Sequence, residues 1–323
     1  MSTPVIRLGV RAYDHLTPLR LGEVQPTSFR LEVVRCDRTP DLAERSDLDG
    51  AEASASRMML NLAAGDRRLV ASPAFALTAF RHRCIITRRD SELTDIGQLR
   101  GRRVGLTGWP DTGQVWTRAL IRDAGIGFDE IEWRVGPVTE SDPPSADRIG
   151  PQGAPATVTT LPAGGTLLDA LRLGEVDALM LPTLPVECYG QAAPFRQLIV
   201  DYRAAEAAYF QRVGFVPGIH LFALRREVVE SHPTVLPDLL EALARSYTES
   251  LLRRVELVDT TPWLVAELDA MADVPGLDWN PYRAVTAYRS TEMLADEMMA
   301  QQLCPRRVGP DELFKEYAEA ADG

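Results

Sequence analysis

The chain has 323 residues, of which 45% are apolar and 25% charged, and its net charge is −11 at pH 7. This length suits two lobes better than one compact core, and the composition is that of an ordinary globular protein. The negative charge argues against nucleic acid or an anionic membrane surface as the main partner.

The rare residue types exclude several kinds of chemistry. The four cysteines are Cys36, Cys84, Cys188 and Cys304, and their wide spacing predicts neither a zinc site nor a disulfide framework. Lys315, the only lysine, lies in the C-terminal tail, which argues against Schiff-base catalysis. The sequence shows neither a signal peptide nor a membrane-spanning run, so we expect a cytoplasmic protein.

Strand-like and helix-like segments alternate, which predicts an α/β fold with largely parallel sheets. In chain order, strands are expected at residues 5–10, 29–35, 69–72, 83–87, 103–106, 131–135, 176–181, 195–200 and 213–225. Helices are expected at residues 54–64, 114–123, 166–173 and 235–254, and Thr166 and Asp169 have the spacing of a capping box. Residues 36–56 form a polar, acidic stretch, and residues 136–165 form a long irregular excursion.

This order of elements predicts two lobes. The first contains residues 1–87 and 215–323, and the second is inserted between them as residues 88–214. The chain then crosses between the lobes near residues 86–90 and 214–220. A ligand is expected in the interlobe cleft, beside those crossings.

The start of the helix at residues 114–123 is a candidate anion site, because backbone N–H groups and the helix dipole favour a carboxylate or phosphate there. Guanidinium groups pair bidentately with carboxylates, and aromatic rings stack on planar ligands. Some candidates also have a structural interpretation: the two arginines as solvated or ion-paired side chains, the two serines as helix caps, and Trp116 as a core residue. The candidate substrate-binding residues are Arg81, Arg118, Ser54, Ser56, Thr107, Gly108, Trp109, Thr112, Gly113 and Trp116.

Histidines are the first candidates for catalysis, because imidazole exchanges a proton near neutral pH. His82 and His220 lie near the two expected crossings, and His15 lies in the loop after the first strand. Each could instead be a structural histidine bonded to a backbone carbonyl, and His232 is interpreted as a helix-start residue. Asp14 is predicted either to accept a substrate proton or to hold His15.

Several segments between residues 11 and 233 resemble 4,5-dihydroxyphthalate decarboxylases. They include R-A-Y-D-H-L-T-P-L from Arg11, A-F-R-H from Ala79 and I-H-L-F-A-L-R-R from Ile219. L-R-G-R-R-V-G and L-G-E-V-D-A are typical of the type II periplasmic-binding-protein fold more widely. The resemblance implies a two-lobed α/β fold of that type, a small anionic aromatic substrate, and decarboxylation of a hydroxylated aromatic acid.

A dihydroxylated aromatic dicarboxylate needs cations for its carboxylates, an acceptor for its phenol and a proton for its ring carbon. The aromatic ring itself accepts the electrons, so no organic cofactor is predicted. No motif supports a metal site, but scattered His, Asp and Glu residues could converge in space, so a metal ion stays an open alternative. Two alternatives are a non-catalytic solute-binding protein for a small carboxylate and a dehydratase-type lyase of the same fold. Residues 53–57 have the sequence A-S-A-S-R where an apolar strand and a helix start are expected, and this difference leaves the exact substrate open. The sequence does not determine the oligomeric state, and a homo-oligomer is one alternative.

Overall fold

The computed structural model describes residues 3–142, 148–150, 152–256, 260–278 and 280–322. The chain divides into two compact units. The first unit contains Met1–Ala79, Phe210–Met293 and Val308–Gly323, and the second contains Phe80–Tyr209 and Leu294–Arg307. The lobes predicted from the sequence divide the chain instead at residues 87/88 and 214/215, and they leave residues 294–307 in the first lobe.

The first unit is built on a five-stranded sheet with the order β2-β1-β3-β11-β4. Its central strand β3 runs parallel to β1, which is parallel to β2, whereas β11 is antiparallel to both β3 and β4. The alternation of elements predicts a largely parallel sheet, but the observed sheet is mixed. Its strands are β1 (Val5–Val10), β2 (Arg30–Arg35), β3 (Gly50–Ser54), β4 (Leu69–Thr78) and β11 (Gly218–Arg225).

Strand β3 is not among the predicted strands, and it lies inside residues 36–56, the stretch interpreted as polar and acidic. Its sequence, G-A-E-A-S, offers no large apolar side chain, and Ala51 and Glu52, which point to opposite faces of the sheet, are both fully buried. The strand therefore lacks the alternating apolar pattern by which strands are recognised. Its neighbours β1 and β11 supply the pairing that holds it in the sheet.

The core of the first unit forms where α7 (Val235–Glu256) packs on the sheet. Leu236, Leu239 and Leu243 from this helix join Leu8 and Phe222 from the strands in one buried cluster. Each such side chain stabilises the fold by about 1.5–3 kcal/mol through removal of its surface from water. The helices that include residues of this unit are α1 (Thr17–Arg20), α2 (Ala55–Ala63), α5 (Tyr202–Val213), α6 (Arg226–Ser231), α7, α8 (Leu264–Ala272), α9 (Ala284–Ala300), α10 (Pro310–Leu313) and α11 (Lys315–Asp322).

The second unit has a six-stranded sheet with the order β10-β5-β9-β6-β7-β8. Strands β9, β6, β7 and β8 are mutually parallel, and β5 is antiparallel to both β9 and β10. Leu167, Leu171 and Phe195 belong to its core. Its elements are β5 (Ile85–Arg88), β6 (Arg103–Leu106), α3 (Thr112–Asp123), β7 (Glu132–Val135), β8 (Val158–Thr160), α4 (Leu167–Arg172), β9 (Ala178–Met180) and β10 (Phe195–Gln197).

Several predicted elements differ from the observed ones at their ends. The strand expected at residues 83–87 begins with a 3₁₀ turn at His82–Cys84, so β5 starts later. The strand expected from residue 213 begins only at Gly218, because α5 extends to residue 213 and Pro217 has no N–H to donate to a ladder. The excursion at residues 136–165 contains β8, and its residues 143–147 and 151 lie outside the described ones. Across the described residues, no helix is long and apolar enough to cross a membrane.

The N-cap predicted at the start of α4 is confirmed, but the Asp169 carboxylate bonds the Thr166 hydroxyl and not, as in a capping box, the Thr166 backbone N–H. The hydroxyl of Thr166 accepts a hydrogen bond from the backbone N–H of Asp169 at 3.2 Å and donates one to its carboxylate at 2.7 Å. The sequence spacing therefore identifies the first turn of this helix correctly.

We expect the substitution Thr166→Ala to lower the free energy of unfolding by about 1 kcal/mol, the usual loss for a helix N-cap. Thr166→Ser, which keeps the hydroxyl, should lose much less. Urea unfolding of the two variants and the wild type measures the difference. Equal stability of the alanine and serine variants would show that the cap contributes nothing.

Candidate active site

A cluster of polar side chains lies at one edge of the sheet in the first unit. Arg11 follows the end of β1, Glu52 lies in β3, and His220 lies near the start of β11. Parallel β1 and β3 end at the same edge of the sheet, and antiparallel β11 begins there. The topology therefore brings together three residues that are far apart in the sequence.

Glu52 is the centre of this cluster and has 0% of its surface exposed. Its Oε1 accepts hydrogen bonds from Arg11 Nε at 2.5 Å and from the Thr39 hydroxyl at 3.1 Å. Burial raises the pKa of Glu52, but the charges and hydrogen bonds of the groups around it outweigh burial and hold that pKa at about 2. The carboxylate therefore stays ionised throughout the neutral range.

His220 approaches the cluster through one ring nitrogen. Its Nδ1 lies 2.8 Å from Arg11 Nη2 and 3.5 Å from Glu52 Oε1, and its side chain is 17% exposed. The same Arg11 Nη2 donates to the Tyr13 hydroxyl at 2.5 Å. Burial, followed by the charge of Glu52, raises the pKa of Tyr13, so this phenol remains protonated.

Ser54 and Ser56 lie beside this cluster. Ser54 pairs with His220 across the antiparallel strands β3 and β11 and occupies the N-cap position of α2. Its hydroxyl oxygen is 3.3 Å from that of Ser56, in the first turn of the helix. The structure thus brings His220, Ser54 and Ser56, three of the residues selected from the sequence, to one edge of one unit.

His15 occupies a different environment, in a cluster of aromatic rings. It stacks on Tyr13 with ring centroids 5.4 Å apart, and Tyr247 and Tyr282 lie within 5.9 Å. Burial, aided by the charge of Arg254, lowers the pKa of His15 to about 4. Its Nε2 has no hydrogen-bond partner among the described residues. This ring is neutral at pH 7 and poorly suited to the proton exchange predicted for it.

Asp14, the neighbour of His15, points away from this environment. Its side chain is 83% exposed and pairs with Arg254 at 3.2 Å. No hydrogen bond of the described residues joins it to His15 or to the cluster around Glu52. Asp14 therefore acts on His15 only through its charge, which raises the pKa of that ring and does not outweigh its burial.

The remaining histidine and arginine candidates belong to the second unit. His82 is buried and lies edge-on to Tyr209, with ring centroids 5.4 Å apart. Arg81 is 3% exposed and donates to the carbonyl oxygens of Leu181 and Pro182 at 2.5 and 3.2 Å. Arg81 thus holds backbone in place, and it is neither the solvated nor the ion-paired side chain of its alternative interpretation.

Arg118 is also enclosed, with 0% of its surface exposed. It donates to the Trp109 carbonyl at 2.6 Å and to Gln301 at 2.9 Å, and its guanidinium lies 3.9 Å from the centre of the Trp109 ring. Burial lowers the pKa of Arg118 to about 9, so it remains a cation at neutral pH. The structure uses this residue to support the loop before α3.

That loop contains Thr107, Gly108 and Trp109, and α3 contains Thr112, Gly113 and Trp116. Thr107 donates to the Asp111 carboxylate at 3.2 Å, and a Cβ at Gly108 would lie 2.5 Å from the same carboxylate, which would then have to shift. Gly113 packs against Arg81, whose Cζ would lie 3.4 Å from an added Cβ. The remaining three candidates, Thr112, Trp109 and Trp116, are at most 2% exposed. The two tryptophans are buried in the core here, which agrees with the alternative interpretation of Trp116.

Sequence reasoning missed Arg11, Tyr13 and Glu52. Arg11 and Tyr13 lie in the R-A-Y-D-H segment, directly after β1, where side chains at the carboxyl end of a strand commonly face a ligand. Glu52 is the one acidic residue within the small-residue run at positions 50–56, and that isolation is the signal that could have found it. Among the described residues, no group of three or more His, Cys, Asp or Glu could hold a metal ion.

Comparison with known proteins supports an enzyme. No family model matches the chain. Over 332 residues it is 28% identical to a 4,5-dihydroxyphthalate decarboxylase from Comamonas testosteroni, with 97% of both chains covered. A second protein of that name, from Pseudomonas putida, is 29% identical over 218 residues, which cover 65% of this chain and 83% of the relative. The resemblance inferred from the motifs is confirmed, and these relatives are carboxy-lyases rather than solute-binding proteins.

Solved structures show the fold. An alkanesulfonate-binding protein from Xanthomonas axonopodis pv. citri matches with a TM-score of 0.54 at 16% identity, over 95% of this chain and 97% of that one. The periplasmic aliphatic sulphonate binding protein of Escherichia coli matches with the same TM-score and identity, over 98% and 92%. A desulfurization enzyme matches with a TM-score of 0.50 at 16% identity, over 98% and 99%. The predicted periplasmic-binding-protein-like α/β fold is confirmed.

The environment of His15 predicts a pH dependence of stability. Because the pKa of His15 falls from 6.5 to about 4 on folding, the unfolded chain binds a proton at this residue between these pH values and the folded chain does not. Stability is complete above pH 6.5 and falls towards pH 4, by at most about 3 kcal/mol for this residue, since one pKa unit is worth about 1.4 kcal/mol.

Urea unfolding between pH 7 and 4.5 should show this loss in the wild type and a smaller loss in His15→Phe. The Glu52 carboxylate does not interfere in that range, because its own contribution is lost only between pH 4.5 and about 2. Parallel stability curves for the wild type and His15→Phe would contradict the assignment.

Proposed function

We propose that this chain is a cofactor-independent carboxy-lyase that removes one carboxylate from a hydroxylated aromatic dicarboxylate, with 4,5-dihydroxyphthalate as the first candidate substrate. The observation that carries the proposal is similarity to a decarboxylase of that substrate over 97% of both chains. The cluster of Arg11, Glu52 and His220 supplies groups suited to the chemistry, and we place the reaction there.

The site offers positive charge and hydrogen-bond donors for an anionic substrate. The side chain of Arg11 is 31% exposed, and its Nη1 has no hydrogen-bond partner among the described residues. The N-terminus of α2, with Ser54 and Ser56, adds backbone N–H groups and the positive end of a helix dipole. A carboxylate can therefore be held by a guanidinium group and by a helix start on the same unit.

The substrate itself provides the electrons for decarboxylation. The hydroxyl para to the departing carboxylate gives up its proton and pushes electron density onto the carbon that bears the carboxylate. That carbon accepts a proton, the bond to the carboxylate breaks, and its electron pair returns to the ring as CO2 leaves. The phenolic oxygen then regains a proton, and the net change replaces one carboxylate by one proton.

Groups in the protein stabilise the negative charge that moves during this reaction. Donors and cations fixed in a partly buried site act more strongly than the same groups in water. Arg11 is fixed by the buried Glu52 and contacts His220 in turn. Glu52 stays ionised with a pKa of about 2 and so is not itself a proton donor. Glu52 thus acts on the substrate through its neighbours.

We expect His220→Ala to lower the rate of CO2 release from 4,5-dihydroxyphthalate by at least about 100-fold, the usual loss when one stabilising donor is removed. The matched control is His232→Ala, which removes a histidine at the C-terminal end of α6 and should keep the wild-type rate. Headspace detection of CO2 and mass spectrometry of the product measure the reaction. Wild-type turnover in His220→Ala would remove this residue from the site.

The same assay separates the alternatives. A product lighter by the mass of CO2 supports the carboxy-lyase, whereas a product lighter by the mass of water supports a dehydratase. Binding of 4,5-dihydroxyphthalate without any product supports a solute-binding protein. Neither turnover nor binding across the hydroxylated phthalates and benzoates would overturn the proposed substrate class.

A further inference from the structure

We propose that Arg11 fixes the tautomer of His220, so that the neutral ring carries its proton on Nε2 and acts as a hydrogen-bond donor to an anionic oxygen of the substrate. This proposal deepens the proposed function and rests on it only for the identity of that oxygen. It differs from the general acid–base role that the sequence alone suggests for a histidine.

The first step is the chemistry of the guanidinium group. Arginine remains charged in proteins, and each of its N–H groups donates while none accepts. Its Nη2 lies 2.8 Å from Nδ1 of His220, an ordinary hydrogen-bond distance. Nδ1 must therefore offer a lone pair, and a neutral imidazole then carries its one proton on Nε2.

The Glu52 carboxylate is a competing acceptor for His220 Nδ1, but it is farther from this nitrogen than Arg11 Nη2 is. Glu52 Oε1 is 3.5 Å from Nδ1, beyond the usual length of about 2.7–3.2 Å for an N–H···O bond. That oxygen is already engaged by Arg11 Nε at 2.5 Å and by Thr39. The arginine thus takes the place that a direct His220–Glu52 bond would otherwise have.

Arg11 is held from several directions. Its Nε contacts Glu52, its Nη2 also donates to the Tyr13 hydroxyl at 2.5 Å, and its backbone N–H points to Glu52 Oε2 at 3.4 Å. Because Glu52 has no exposed surface and stays ionised, the guanidinium keeps its partner while the first unit stays folded. Arg11 is therefore a positioning residue for His220 as well as a cation for the substrate.

This arrangement determines what the other edge of the ring can do. Nε2 makes no hydrogen bond to a described residue, so it is the nitrogen left for a ligand. To act as a base, Nε2 would need a free lone pair, but in this tautomer it carries the proton. As an acid, the ring would need a second proton on Nδ1, which faces the Arg11 N–H. A donor to a phenolate or carboxylate oxygen is the role that remains.

The direct test is the tautomer of His220 in the unliganded wild-type protein. Two-bond ¹H–¹⁵N NMR spectra of ¹⁵N-histidine-labelled protein, recorded at a pH where the ring is neutral, distinguish Nε2–H from Nδ1–H, and His220→Gln identifies the signal by its loss. We expect Nε2–H. A wild-type ring that carries its proton on Nδ1 would overturn the proposal, whether or not any variant folds.

Arg11→Met provides the causal test. Without the arginine, Nδ1 faces the Glu52 carboxylate, and we expect the proton to move to Nδ1. The matched control is Tyr13→Phe, which removes another partner of the same Nη2 but keeps the arginine, and it should keep Nε2–H. If Arg11→Met leaves the tautomer unchanged while the variant is folded, Arg11 does not set it.

Activity separates a donor from an acid–base group. A glutamine amide donates a hydrogen bond but exchanges no proton near neutral pH. We therefore expect His220→Gln to turn over substrate at least 10-fold faster than His220→Ala, as an order-of-magnitude estimate for a retained donor. Equal inactivity of both variants would contradict the donor role. Absence of activity in the wild type would defeat the proposed function but leave the tautomer result standing.

Discussion

The buried carboxylate of Glu52 is the constraint around which the first unit is arranged. An ionised group with no contact with water must be compensated by charge and hydrogen bonds, and removal of one partner from such a pair typically costs about 3–5 kcal/mol. Arg11 and Thr39 provide that compensation. Arg11 reaches Glu52 because β1 and β3 are adjacent in the sheet, and β11 on the other side of β3 brings His220 to the same cluster. The polar cluster and the strand order therefore depend on each other.

Three of the arginines selected above serve two different purposes. In the second unit, Arg81 and Arg118 are enclosed and donate to backbone carbonyl groups, so they stabilise loops and leave little surface for a ligand. In the first unit, Arg11 combines a buried anchor with an exposed remainder. A guanidinium group that is fixed at one end and accessible at the other suits recognition of a carboxylate, because little conformational freedom is lost when the ligand binds.

Much of the fold could be predicted from local pattern. The N-cap of α4, the long helix α7 and the bounds of β1 and β6 follow from capping chemistry and apolar periodicity, which are properties of neighbouring residues. Strand β3 could not be predicted, because its identity depends on partners 40 and more residues away. Of the candidate site residues, His220, Ser54 and Ser56 lie beside one another. The burial that lowers the pKa of His15 could not be predicted, because Tyr247 and Tyr282, which pack beside it, are distant in the sequence.

The amino-acid sequence by itself determined the alternation of elements, the scarcity of lysine and histidine, and the motifs shared with decarboxylases, since all of these are present in residue order and composition. Only the tertiary structure decided which ionisable groups meet. Whether an arginine faces a ligand or a backbone carbonyl, and which nitrogen of a histidine holds the proton, depends on neighbours brought within about 3 Å by sheet topology, a distance at which hydrogen bonds operate. Such proximity is set by packing across the whole unit, and the pattern of adjacent residues carries no record of it.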